Sequence, residues 1–300
     1  MPHVTRQVTV VIAAHNESAV IGRGLAALLK DAEPGEIGVL VVSNGSTDDT
    51  SGVARRAGAA LGQPVETIDI AQASKIAALR AAEEALAARP ATTRLYVDAD
   101  VLLETAVVRK LAAAVASDQP RLGVVTALVD TSGAGALVRR YYGVWEALAR
   151  KRVQGSGTGV LAVNEAAVSR IASWPDVVSD DEWVVRQFAA DELVVVDARA
   201  RQFAARTLSA LVRRRARVVN GNKQLDQRWP KPAGTAGAGV RLGELRAALR
   251  RRDVSPVGVV IYVAVTVAAR ALAAWRRRAG TATSWSRDAS SRANPDAPRS

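Results

Sequence analysis

An α/β fold with a mostly parallel central sheet flanked by helices is predicted by three features of the 300-residue chain. Short apolar, β-branched runs alternate with segments whose apolar residues recur at helical spacing. Polar turns separate the two kinds of segment, as in βα units. The run Leu95-Tyr96-Val97 reads as a buried strand that ends abruptly in Asp98 and Asp100, at the carboxyl edge where open α/β sheets bind their ligands.

The elements follow in order. Val8 to Ala13 is a continuous apolar strand, closed by the turn His15-Asn16-Glu17, with Ser18 as the expected N-cap of a helix carrying Val20, Ile21, Leu25, Leu28 and Leu29. Ile37 to Val42 is a second buried strand, and Ser43-Asn44-Gly45-Ser46-Thr47-Asp48-Asp49-Thr50 a polar turn into a helix around Val53 to Ala59. Val65 to Ile70 is a third strand, and Lys75 to Ala88 an alanine-rich helix before the strand that ends at Asp98. Beyond it, Glu104 to Ala116 reads as helix, Gly123 to Val129 as strand, and Leu137 to Lys151 as an amphipathic helix. The glycine-rich turn Gly155-Ser156-Gly157-Thr158-Gly159 leads into Val160 to Val163. Ser179-Asp180-Asp181-Glu182-Trp183 opens a short helix through Phe188, Leu193 to Val196 is a strand, and Leu208 to Leu225 a basic helix. The expected division is a catalytic domain over 1–229, a linker and basic segment over 230–253, an apolar and basic helix over 254–278, and a polar, disordered tail over 279–300.

Composition excludes several classes of function. With 49% hydrophobic residues the chain can bury a full core. It has no cysteine, and His3 and His15 are its only histidines, so disulfides, thiolate metal sites and a Ser-His-Asp triad lack raw material. The net charge of +12 is unevenly placed. Residues 1–200 carry 20 Lys+Arg and 24 Asp+Glu, whereas residues 201–300 carry 21 and 5. Only 4% of residues are aromatic and no nucleic-acid module is visible, so an anionic membrane surface, not nucleic acid, is the expected partner of the basic third. Met1 to Gln7 is short and polar, unlike a signal peptide, so the catalytic part is expected in the cytoplasm.

Asp98 and Asp100 offer hard oxygen ligands suited to Mg²⁺ or Mn²⁺, and such an ion usually brings a phosphorylated substrate. Taken alone, an Asp-Xaa-Asp triplet is more often a solvated turn. Its surroundings decide the matter. Val10-Val11-Ile12-Ala13-Ala14-His15-Asn16-Glu17, then Val41-Val42-Ser43-Asn44-Gly45-Ser46-Thr47-Asp48-Asp49-Thr50, then Tyr96-Val97-Asp98-Ala99-Asp100 together resemble the first strand and turn, the nucleotide-contacting loop and the metal-binding Asp-Xaa-Asp of the family-2 glycosyltransferases of the GT-A fold. The resemblance runs from about residue 8 to 225.

It implies a nucleotide-sugar donor contacted by Ala14, Asn16 and Glu17 in the first turn, by Ser43 and Asn44 in the second, and by Lys75 and Asp98. The family usually begins the second loop with two aspartates, so Ser43 and Asn44 are a departure that leaves the donor base open. Asp100 is the direct metal ligand by the family pattern, with Asp98 beside it. The cation stabilises charge on the departing diphosphate. Gly157, in the glycine-rich turn, stands beside the donor sugar and acceptor, where small residues let backbone approach a ligand. Asp181 takes the position of the catalytic base of an inverting transfer. A bland alternative is that Asp180, Asp181 and Glu182 only favour a helix N-terminus, an effect of about 0.3–1 kcal/mol. Arg214 and Arg217 match the Gln-Xaa-Xaa-Arg-Trp element, with Arg214 for Gln and Val218 for Trp, and could neutralise the diphosphate. Those replacements favour transfer of one sugar over processive synthesis. The competing readings are a sugar-nucleotide nucleotidyltransferase, which lacks its glycine- and lysine-rich triphosphate loop here, and a non-catalytic binder held by the basic third.

Val257 to Ala269 is nearly uninterrupted apolar sequence between Arg250-Arg251-Arg252 and Arg276-Arg277-Arg278. A span needs about 20 apolar residues, reached here only by including Arg270. The alternatives are a helix lying in the interface at the inner face of the cell membrane, or one packed on the protein.

Overall fold

A computed structural model describes residues 8–89, 92–149, 157–230 and 242–280. Gly155 and Ser156 of the glycine-rich turn, His3, residues 231–239 of the expected linker and the tail from Ser284 lie outside the described residues. The elements in the first part of the chain are β1 (Val8–Ala14), α1 (Ile21–Leu29), β2 (Ile37–Asn44), α2 (Thr50–Ala60), β3 (Val65–Ile70), α3 (Lys75–Leu86), β4 (Thr93–Val97) and α4 (Thr105–Val115). Then come β5 (Leu122–Asp130), α5 (Ala136–Ala149), β6 (Val160–Val163), α6 (Glu165–Ile171), α7 (Asp180–Val185), β7 (Leu193–Phe203), α8 (Leu208–Arg228), α9 (Leu242–Arg250) and α10 (Pro256–Arg278).

The strands form one sheet in the order β3-β2-β1-β4-β6-β5-β7. β1 pairs parallel with β2 and β4, and β2 parallel with β3. β6 runs antiparallel to both β4 and β5. The expected α/β sheet is therefore mostly parallel, as predicted, with its direction broken at β6. All eight positions of β2 are buried, which is why its sequence is a continuous apolar run without alternation. Because β1, β2 and β4 are parallel neighbours, their carboxyl ends share one edge of the sheet. That edge carries Ala14, Ser43-Asn44 and Asp98.

Two compact units divide the chain. The first comprises Met1–Leu128, Gly155–Asp176 and Asp180–Gln202, the second Val129–Gln154, Val177–Ser179 and Phe203–Ser300. The core of the first joins Val10, Ile12, Val39, Val41, Leu95 and Val97 of the strands to Leu25, Leu28, Val108 and Leu111 of α1 and α4. Under β4 lies a buried polar network: Arg94 and Tyr96 both bond Glu83 of α3, the tyrosine hydroxyl donating at 2.6 Å. In the second unit, Tyr141 of α5 stacks on Tyr262 of α10 with ring centroids 5.0 Å apart, and Leu211 and Leu245 close the same cluster.

Some local readings are corrected. Ser18 is not a helix cap. α1 begins at Ile21 after Val20, which makes no side-chain cap bond, and the Ser18 hydroxyl instead donates to Asp48 Oδ2 at 2.7 Å. Two helices escape the sequence reading: α6 is only seven residues long, and α9 falls inside the segment read as linker and basic stretch. β7 extends to Phe203, well beyond Val196. Its mixed polar and charged sequence, Asp197-Ala198-Arg199-Ala200-Arg201, hides a strand whose far half alternates exposed and buried positions. α10 matches the apolar segment, starting at an N-cap in which Ser255 Oγ accepts from Gly258 N at 3.0 Å.

Removing one partner from the buried pair under β4 isolates a charge. Glu83→Ala leaves Arg94 uncompensated among apolar neighbours, so urea unfolding should show a loss of about 3–5 kcal/mol. A loss under about 1 kcal/mol, the scale of a surface pair, would show the pair to be dispensable.

Candidate active site

The carboxyl edge is built first by a clasp between two turns. Asn16 adopts φ 52°, a left-handed conformation that asparagine tolerates better than most residues. Its amide oxygen accepts from Thr47 N at 2.6 Å and from Asp48 N at 3.3 Å, while its own N–H donates to Ser46 Oγ at 3.0 Å. Glu17 N donates to Thr50 Oγ1 at 2.8 Å. Asp48 returns the tie, accepting at one oxygen from Ser18 and at the other from Thr50 N at 3.1 Å. Burial works against the Asp48 charge, but the bonds from Thr50 and Ser18 outweigh it and hold its pKa below the ordinary aspartate value. Asn44 joins the clasp through Nδ2, which donates to Ala14 O at 2.9 Å, and through its carbonyl oxygen, which accepts from the His15 ring. Ser43 and Asn44 are both buried. Asn16, Glu17, Ser43 and Asn44 thus shape the sheet edge with groups that were expected to meet the donor.

At the end of β4 two carboxylates meet one ammonium. Lys75, at the first position of α3 behind the N-cap Ser74, places Nζ 2.6 Å from Asp98 Oδ1 and 2.7 Å from Asp180 Oδ2. Burial opposes the lysine's charge. The fields of Asp180 and Asp98 more than offset it, so its pKa lies above that of an ordinary lysine. Asp181 follows at the start of α7 and accepts from Glu182 N at 2.8 Å and from Gly157 N. Burial first, then the charge on Asp180, push Asp181 up to about 6 against the opposite pull of Lys75 and those two N–H groups. A carboxyl group with that pKa is ionised at neutral pH yet more basic than free aspartate, which suits a proton acceptor.

Asp98, Lys75, Asp180, Asp181 and Gly159 line one shallow, solvent-open hollow together with Val11, Ala13, Leu79 and Tyr96. Gly159 is the glycine this packing demands. At φ 65° it turns so closely beneath Asp98 that a Cβ would lie 2.9 Å from the carboxylate, and its carbonyl accepts from Asp98 N at 2.9 Å. Gly157, the residue the motif singled out, has φ 82° and open space where a side chain would stand. Its contribution is the N–H given to Asp181.

Asp100 lies on the turn after β4 and outside the lining of the hollow. Among the described residues no three His, Cys, Asp or Glu side chains come together as a metal-holding group. Two neighbouring carboxylates nevertheless suit a magnesium- or manganese-like ion, which commonly takes one or two carboxylates plus substrate phosphate and water. Arg214 and Arg217 belong to α8 of the second unit, where Arg214 Nη1 donates to Phe203 O at 3.4 Å.

Sequence motifs did not point to the aromatic residues that anchor α7, the helix that opens with Asp180 and Asp181. Trp183, two positions on, is buried against Trp174 with ring centroids 5.6 Å apart, and Trp174 meets Tyr96 of β4 edge-on at 5.0 Å. Trp174 has φ 28°, a strained value for a bulky residue, and its carbonyl accepts from Arg80 Nε at 2.8 Å. The only signal available was the tryptophan directly after the acidic run.

Residues 9–169 match the family described as Glycosyl transferase family 2. The chain belongs to that family. As a family-2 glycosyltransferase it contributes Lys75, Asp98, Asp100 and Gly159 from within the matched region, while Asp180 and Asp181 lie beyond it. Among solved structures the glycosyltransferase is similar to a mannosyltransferase from Pyrobaculum calidifontis in complex with GDP-Man and Mn²⁺. Identity is 19%, the TM-score 0.56, and 92% of this chain and 79% of that chain are covered. It is also similar to glucosyl-3-phosphoglycerate synthase from Mycobacterium tuberculosis in complex with Mn²⁺, UDP-glucose and glycerol 3-phosphate. There identity is 20%, the TM-score 0.50, and 79% and 85% are covered. These likenesses show the GT-A type of fold. No curated protein matches the chain.

An aspartate whose pKa rises on folding makes the folded state less stable once ionised, so its effect grows as pH climbs from about 4 to 6 and persists above. Asp181→Asn should therefore raise the melting temperature at pH 8, with the gain shrinking toward zero by pH 4. Equal melting curves at pH 8 would contradict the burial of this charge.

Proposed function

We propose that this family-2 glycosyltransferase is a divalent-cation-dependent, inverting enzyme that moves one sugar from a nucleotide-sugar donor to an acceptor hydroxyl. The supporting observation is the hollow at the sheet edge, in which Asp98 and Lys75 stand with Asp181. One end of that constellation suits a diphosphate and the other an acceptor proton.

In this reading Asp98 and Asp100 would hold the cation, Mg²⁺ or Mn²⁺. The ion supplies positive charge that stabilises the leaving diphosphate. The chain's own residues do the rest. Asp181 accepts the proton of the acceptor hydroxyl as its oxygen bonds to the anomeric carbon and the carbon–oxygen bond to the diphosphate breaks. Glu182 N and Gly157 N hold the Asp181 carboxylate in orientation. Lys75 keeps Asp180 compensated so that Asp181 can ionise at neutral pH. Single transfer is supported by the replacement of Gln and Trp in the element around Arg214 and Arg217.

The test is release of nucleoside diphosphate from a panel of UDP-, GDP- and dTDP-sugars, with Mg²⁺ or Mn²⁺, followed by NMR of the product's anomeric configuration. UDP-glucose and GDP-mannose, bound in the two similar structures, head the panel. Asp181→Asn and Asp100→Ala should each lower transfer by about 100-fold or more while the fold persists. Retained configuration, or full turnover in Asp181→Asn, would remove the assignment.

The pH profile supplies a second check. Transfer by the free enzyme should rise with pH through a midpoint near 6 as Asp181 ionises. Lys75 lowers that pKa, so Lys75→Met should shift the midpoint upward. A midpoint unmoved in Lys75→Met would uncouple the lysine from the base.

A further inference from the structure

α10 has two faces of different fates. Gly258, Tyr262, Val265, Ala269 and Ala273 recur every three or four residues and are buried within the second unit. Gly258 packs so close to Val144 of α5 that a Cβ would sit 3.1 Å from it, and Ala269 and Ala273 meet Ala216 of α8. The opposite face carries Val257, Val260, Val263, Val267 and Trp275, exposed by 55%, 67%, 41%, 60% and 63%. At 1.5 Å per residue this strip runs about 27 Å along the helix. Large apolar side chains in a continuous exposed row mark an interaction surface, whereas single ones do not.

We infer that this face of α10 docks the enzyme on an anionic lipid bilayer, lying in the plane of the interface rather than crossing it. By length and hydropathy alone α10 could cross, with a mean hydropathy of 2.1 over its apolar window. Its packing argues otherwise. α8, against which it lies, carries Arg213, Arg214, Arg215 and Arg217, and α5 carries Arg139, Arg140 and Glu146. A span would draw those charges toward the hydrocarbon, where each is costly. In-plane docking buries the apolar strip and leaves Arg270, exposed at its flank, within reach of the headgroups.

Charge selects the occupant. Residues 242–280 hold eight Lys+Arg and two Asp+Glu, with Arg250-Arg251-Arg252 before the strip and Arg276-Arg277-Arg278 after it. Apolar insertion between basic clusters fits a surface of anionic headgroups. A second copy of the chain would present the same strip with the same arginines, and self-pairing would set like charges side by side. The inference does not depend on which sugar is moved.

Sedimentation of the full chain with vesicles tests it. Vesicles of phosphatidylcholine with about a third phosphatidylglycerol should carry the protein down, phosphatidylcholine alone should bind it at least tenfold more weakly, and about 0.5 M salt should reduce the difference. Val260→Asp combined with Val267→Asp, both at exposed positions, should cut binding to anionic vesicles at least tenfold. Far-UV circular dichroism and diphosphate release in solution should be unchanged. Brominated lipid should quench Trp275, a signal lost in Trp275→Phe. Equal binding by the double variant, equal binding to neutral vesicles, or no binding by the unaltered chain would each overturn the inference. So would a dimer in analytical ultracentrifugation that the double variant abolishes without any change at vesicles.

Discussion

Everything at the sheet edge depends on one ammonium held between two carboxylates. Lys75 comes from the first turn of α3, Asp98 from the end of β4 and Asp180 from the start of α7, so a single side chain ties three separate elements. At such distances a pair of opposite charges is worth about 6 kcal/mol at the effective dielectric of a protein surface, before desolvation is subtracted. Two acids brought together at the mouth of a buried strand would otherwise repel. The same arrangement sets the chemistry, because Lys75 pulls Asp181 down while burial and Asp180 push it up. The Asp181 carboxyl is tuned by a balance in which desolvation is the largest contribution.

The second constraint is geometric. Parallel pairing of β1 with β2 and β4 brings their three carboxyl ends to one line, but loops, not strands, decide what stands there. The turn after β1 and the turn after β2 hold each other through Asn16, Asp48 and Thr50. The antiparallel insertion of β6 beside β4 then delivers Gly159 directly under Asp98. A parallel strand in that place would enter from the opposite end of the sheet and could not present its preceding turn to this edge. The direction break at β6 is therefore part of the site.

Most of this was legible where a local rule was strong. Continuous apolar runs mark β1, β2 and β4, because strands buried on both sides have no polar face to alternate with. The acidic endings stand out because charge is rare beside such runs. Helix α6 and strand β7 were hard to read for the opposite reason: seven residues span barely two turns, and arginines and an aspartate interrupt β7 as they would a loop. Lys75 was visible as a basic residue opening a helix, but its two carboxylate partners lie 23 and 105 positions away. Only the topology joins them. The Trp174–Trp183 pair that anchors α7 was likewise out of reach, since a buried aromatic gives no sign in sequence of which element it will brace. Ser18 misled because a serine before an apolar stretch looks the same whether it caps a helix or reaches across to Asp48.

The charge in the hollow also explains why the proposed reaction should need a cation. A donor diphosphate must enter a space that already holds Asp98, Asp180 and Asp181 against one lysine. Lys75 is engaged by two of those acids and has little capacity left for phosphate, while the substitution of Ser43 and Asn44 for the family's usual aspartates removes two further negative charges from the same edge. Neutralising the loop reduces repulsion but adds no attraction. In the proposed mechanism that attraction would come from a cation held by Asp98 and Asp100, and Asp98 is also the carboxylate that pairs with Lys75 in the free protein.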